Sequence, residues 1–131
     1  MPTYDGINIQ WPISELILSG HKTVETRTYP IPKSYLNKEV LLVETPGKSG
    51  NFKSRIRGII SFSDCFQYMN EQEFYDDFDR HRVDRESIWK YDSHRGKWGW
   101  KVRLVKKFDL PKALNRRTGI RYAKNLTIER T

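Results

Sequence analysis

Gly20-His21-Lys22-Thr23-Val24-Glu25-Thr26-Arg27 is the densest polar stretch of the chain. The helical segment before it opens at Trp11-Pro12. Pro12 suits a first helical turn, where its missing N–H is not needed. Ile13, Leu16 and Ile17 follow at i, i+3 and i+4 and make one apolar face. Gly20 stands where a left-handed cap ends such a helix. From Thr23 to Tyr29 the residues alternate and are partly β-branched, which predicts a strand closed by Pro30 and Pro32. A period of two sets Thr23, Glu25 and Arg27 on one face and Thr26 on the other, with Lys22 beside them at the turn. A carboxylate between a lysine and an arginine stays ionised and holds both cations in place. This trio suits the grip of a phosphate or a base edge through Arg27. It equally suits a salt bridge at the rim of a sheet, and periodicity leaves both open.

Outward from this stretch, strand signals dominate. Tyr4 to Gln10 predicts a first strand, and Glu39 to Thr45 a largely buried one. Pro46 to Asn51 is a turn, and Phe52 to Phe62 a long strand in which Gly58 marks a bulge or bend. A short helix is expected within residues 63–80. Residues 81–97 are polar and show no clear period. Trp98 to Phe108 alternates Trp98, Trp100, Val102 and Leu104 with basic residues, and Leu110-Pro111 ends it. A last short strand is expected near Leu126 to Ile128. This order predicts an α+β small barrel in one domain over residues 1–131.

Composition narrows the function classes. The chain has 131 residues, with 24 Lys and Arg against 16 Asp and Glu, a net charge of +8. Aromatic residues at 13% argue against intrinsic disorder. No apolar run is long enough for a membrane helix, and the first ten residues lack the pattern of a secretory signal. Cys65, the one cysteine, can form no internal disulfide, so a reducing, cytoplasmic setting is expected. Residues 93–131 hold 12 basic and 2 acidic residues, while residues 64–92 hold 4 and 9. A basic field of this kind attracts polyanions, nucleic acid first among them. The acidic stretch Glu71 to Asp79, interleaved with Phe74, Tyr75 and Phe78, fits a solvated helix or loop whose aromatics touch the core. Its spacing matches no calcium loop, and neither metal nor cofactor is expected.

The stretch Gly20 to Arg27 resembles the G-x-K-x-x-E-x-R signature of the ASCH domain family, within the PUA-like superfamily. Trp11-Pro12-Ile13 stands where that family has a Gln-Pro-aromatic step. Arg57-Gly58-Ile59-Ile60-Ser61-Phe62 resembles its Gly-hydrophobic strand, Trp98-Gly99-Trp100 through Leu110-Pro111 its late strand, and Gly119-Ile120-Arg121-Tyr122 its closing segment. The resemblance spans roughly residues 4–128. It implies a mixed β-barrel of five to six strands, with a helix over one opening and a helical or loop insert. It also implies a cleft between helix and barrel that is lined by Lys22, Glu25 and Arg27 and receives RNA or a nucleoside. RNA-binding modules, ribonucleases and N4-acetylcytidine amidohydrolases all occur in the family. The amidohydrolases carry a threonine nucleophile where this chain has Glu25, which sets that activity below the others.

Further candidates surround the trio. Trp11 carries the aromatic of the Pro12 step, displaced by two positions. Tyr29 and Tyr35 are expected as exposed stacking residues. Lys53, Arg55 and Arg57, with Lys48, offer phosphate contacts on a neighbouring strand. Trp98 and Trp100 share one face, as a stacking platform or as core. Gly47-Lys48-Ser49 lacks the upstream glycine of a phosphate-binding loop. The expected function is RNA binding, single-stranded or modified, in the Lys22–Glu25–Arg27 cleft, with a nucleoside as the alternative ligand and no membrane. The alternative activity is a metal-independent ribonuclease or nucleoside hydrolase, with Lys22 and Glu25 catalytic and His21 close by. A protein-interaction module using residues 71–79 is a third class.

Overall fold

The computed structural model describes residues 1–114 and 119–131. Arg116 and Arg117, counted in the basic C-terminal third, lie outside the described residues. The elements run β1 (Thr3–Gln10), α1 (Ile13–Leu18), β2 (Val24–Arg27), a 3-10 turn (Lys33–Tyr35), β3 (Glu39–Thr45), β4 (Arg55–Tyr68), α2 (Glu71–Asp76), α3 (Phe78–His81), β5 (Lys97–Ala113) and β6 (Tyr122–Thr127). All six strands join one mixed sheet in the order β2-β5-β4-β3-β1-β6. The β1–β3 pair is parallel and every other pair is antiparallel. The architecture is the expected α+β one, a mixed six-stranded sheet with short helices. The ring is not closed by hydrogen bonds, and β2 and β6 are the two edges.

The sheet is covered on both faces at its centre. Along β3, Val40 and Leu42 join one core cluster with Ile7, Ile9, Ile17, Phe62 and Trp100. Leu41 and Val43 join another with Tyr4, Ile56, Ile59 and Phe108. A strand buried on both faces reads as a continuous apolar run, as Val-Leu-Leu-Val does here. A third cluster, Tyr68, Phe74 and Val83, belongs to the insert between β4 and β5. There His81 stacks on Phe74 at 4.2 Å. In α2, Asn70 caps the start by accepting from the Glu73 N–H at 2.8 Å, Phe74 is buried, and Glu71, Glu73 and Asp76 face outward.

Two expectations are corrected. Pro111 does not end β5, which runs on to Ala113. The register slips between Ile56 and Gly58, so the residues around Pro111 bulge out and its missing N–H is not needed in the ladder. The short helix expected within residues 63–80 is α2; ahead of it, Asp64 to Tyr68 extend β4 and pair with β5 after a third register shift. Tyr35 is not an exposed stacking residue. It is core, with its hydroxyl donating to the Gly6 carbonyl at 3.3 Å. Gly58 does sit at a bulge, since a Cβ there would come within 2.4 Å of the Lys106 carbonyl oxygen.

Candidate functional site: a cationic cavity at the β2 edge

Local backbone chemistry places the signature. Helix α1 ends at Gly20, whose φ of +84° turns the chain back. The Lys22 N–H then donates to the Leu16 carbonyl at 2.9 Å, and the Thr23 N–H to the Arg80 carbonyl at 2.9 Å. Lys22 is thereby drawn under the helix and the insert. Its ammonium donates to the His81 carbonyl and lies 3.6 Å from Glu25 Oε1. On β2, Arg27 donates to Glu25 Oε2 at 3.0 Å, to the Asn8 carbonyl at 3.0 Å and to the Tyr29 hydroxyl at 3.3 Å. Its guanidinium also lies over the Trp100 ring, 5.4 Å from the centroid.

The trio is buried, with Lys22 3% and Glu25 6% exposed. Burial alone would raise the Glu25 carboxyl, but Arg27 and then Lys22 hold it below the usual carboxylate range. Burial pulls Lys22 below the ordinary lysine range, against the attraction of Glu25. Glu25 Oε1 also accepts from the Thr26 N–H at 3.2 Å, so both oxygens of the carboxylate are engaged.

This cluster floors a cavity of about 410 Å³, and Asn8, Ile13, Tyr29, Val83 and Trp89 contribute to its walls. The size falls within the ~300–1,000 Å³ of small-molecule sites. Asn8 donates to the Gly119 and Ile120 carbonyls at 2.8 and 3.0 Å, which ties the segment before β6 to the rim. Arg121 lies over the Tyr29 ring at 4.3 Å. A more open groove adjoins the cavity through Gln10, Ile13, Lys22, Val83 and Trp89, and continues past Trp11, Lys48 and Arg82.

Of the residues singled out in the sequence, Lys22, Glu25, Arg27 and Tyr29 come together in the cavity, and Trp11 lines the adjoining groove. Arg57 stands elsewhere, buried and bound to Glu44 at 2.9 Å and to Glu15 at 2.6 Å. Arg55 binds Glu44 at 2.7 Å and covers the Phe52 ring. Lys53 is exposed outside both hollows. Trp100 is core, and Trp98 packs half-buried against the same cluster. Three lining residues escape sequence reasoning: Trp89, Lys97 and Arg121. Trp89 sits in a stretch without period, and Lys97 occupies the polar phase of a strand pattern. Arg121 had a signal, as part of the closing segment of the ASCH resemblance. Among the described residues, no group of three or more His, Cys, Asp or Glu could hold a metal ion, and no helix is long and apolar enough to cross a membrane.

No protein-family model matches the chain, and no curated protein matches it in sequence. Solved structures do match. An ASCH protein from Zymomonas mobilis superposes with a TM-score of 0.68 at 16% identity, over 92% of this chain and 86% of that one. A tyrosine-to-phenylalanine mutant of the Zymomonas mobilis ASCH protein matches with a TM-score of 0.58 at 17% identity, over 83% of this chain and 77% of that one. The chain has the ASCH fold.

Proposed function

We propose that this protein binds RNA, and that the cavity takes an unpaired or modified nucleotide. The observation that carries this reading is the cavity itself. It joins a fixed guanidinium and two lysines to aromatic surface from Tyr29 and Trp89. Arg27 supplies a fixed positive charge for a base edge or phosphate, and a neighbouring aromatic supplies a stacking face. The groove past Trp11, Lys48 and Arg82 would lead the strand away, with the basic C-terminal third holding its backbone.

A second reading is turnover in the same cavity, as a metal-independent ribonuclease or nucleoside hydrolase. Lys22 favours it, being a buried lysine pulled below its ordinary range and placed against a carboxylate. Glu25 weighs against it. A carboxylate held ionised by two cations is a weak base. Binding is therefore the preferred function.

One experiment separates the two. Labelled single-stranded RNA is incubated in EDTA with the wild type and with Lys22→Ala, then run on native and denaturing gels. Intact RNA, retarded by the wild type and less by the variant, supports binding. RNA shortened by the wild type alone supports turnover. RNA neither retarded nor cut overturns both readings.

A further inference from the structure

Among the described residues, one cationic side chain in the cavity wall has no hydrogen-bond or ion-pair partner. Lys97 opens β5, is only 4% exposed, and lines the cavity. Lys22 and Arg27 share Glu25 between them. Among the described residues, no hydrogen bond or ion pair reaches the Lys97 amine. The charges that act on it are Glu25 and Asp92 on the acidic side, and Lys22 and Arg27 on the basic side. Neither acid is free. Glu25 is saturated by its two cations and the Thr26 N–H. Asp92 accepts from the His94 and Arg95 N–H groups at 2.9 and 3.0 Å and binds the Arg95 side chain at 3.1 Å. Three cations thus face the cavity floor against one committed carboxylate. The Lys97 side chain lines the hollow, so an anion there would meet an ammonium that no protein acceptor occupies.

We propose that Lys97 anchors a phosphate subsite in this cavity, so that the ligand enters as a nucleotide with its phosphate on Lys97, not as a neutral nucleoside. This inference rests on the RNA reading above and names the part of the ligand that Lys97 holds. A compact ammonium suits a phosphate oxygen as a point charge and needs no planar fork. Arg121, over Tyr29, lines the same hollow and leaves the second aromatic, Trp89, for the base. The phosphate is either a terminal monoester or a chain diester, and the two share this chemistry.

The test is calorimetric titration of the full chain with the four nucleosides, their 5′-monophosphates, inorganic phosphate, and a short single-stranded RNA with and without a 5′-phosphate. Monophosphates are expected to bind at least about tenfold tighter than nucleosides, as a charge-assisted contact implies. In Lys97→Gln that preference should shrink to within about twofold, while Lys97→Arg retains most of it. Circular dichroism checks that both variants fold, and the wild-type comparison decides even if Lys97→Gln does not. Equal wild-type affinity for nucleosides and monophosphates overturns the subsite, as does a preference that survives in folded Lys97→Gln. A Lys97-dependent gain from the 5′-phosphate on RNA identifies the monoester. Equal binding of both RNAs, lost together in Lys97→Gln, identifies the diester. RNA binding that ignores Lys97→Gln removes the subsite and leaves the RNA reading standing. Inorganic phosphate held through Lys97 with no RNA bound does the reverse.

Discussion

Glu25 neutralises two cations with one carboxylate inside the protein, so its charge is structural before it is functional. Removing the charge leaves Lys22 and Arg27 buried without a counter-ion. Glu25→Gln should therefore cost about 3–5 kcal/mol of stability, read from urea unfolding. Trp89 is a different case. It is 42% exposed, so Trp89→Ala should leave the unfolding midpoint almost unchanged. RNA affinity should nonetheless drop by about 1–3 kcal/mol, the worth of one stacked base, when followed by fluorescence anisotropy. Glu25 and Lys97 mark what the sequence could and could not tell. Glu25, Lys22 and Arg27 are legible because they are local: a turn and a period of two bring them together. Lys97 reads as a solvated strand lysine, in phase with Lys101. It is buried in a wall that β5 shares with Glu25 and Arg27 of β2 and with Val83 and Trp89 of the insert, a meeting that no local pattern encodes. Arg57 fails for the converse reason. Its partners, Glu15 and Glu44, lie on other elements and consume the charge that sequence assigns to phosphate.

At the scale of elements, the insert and β4 carry the informative chemistry. His81 caps the insert from within. Its Nδ1 accepts from the Val83 N–H at 2.9 Å, so its Nε2 carries the proton and donates to the Phe74 carbonyl at 2.6 Å. Burial holds its pKa below the ordinary 6.5, and the nearby Lys22 and Arg80 push the same way, against Asp77. The unfolded chain then binds a proton that the folded chain refuses. Stability should fall as pH drops below about 6.5, so the urea midpoint at pH 5.5 should lie under that at pH 7.5. His81→Gln should flatten this slope. In β4, Gly58→Ala would drive a methyl into the Lys106 backbone, and a loss of about 1–3 kcal/mol is expected in the same urea assay. Gly58 was readable as a bulge because a lone glycine within a strand pattern has few other uses. The length of β5 was not readable, because Pro111 ends a strand unless a bulge on its partner relieves the missing donor.

At the scale of the whole molecule, the cavity joins β2, an edge of the sheet, to β1 and the insert. Two consequences of this placement differ in kind. The first concerns binding: if cations at this edge and in the C-terminal third hold phosphates, RNA affinity should fall steeply with salt. The slope should be close to −0.7 in log–log terms for each phosphate held on a single strand. A flat response between low and moderate salt would count against the nucleic-acid reading. The second consequence concerns what else an unpaired strand can do. An open edge is a template on which another chain can add itself, and proteins blunt such edges with short strands and inward-pointing charge. β2 has both: it is four residues long, and Glu25 spends one oxygen on its own strand's Thr26 N–H. The signature that shapes the cavity also keeps this edge covered, with Val24, Glu25 and Thr26 buried. Loss of Glu25 should therefore appear as aggregation on expression, before any defect in ligand binding can be measured.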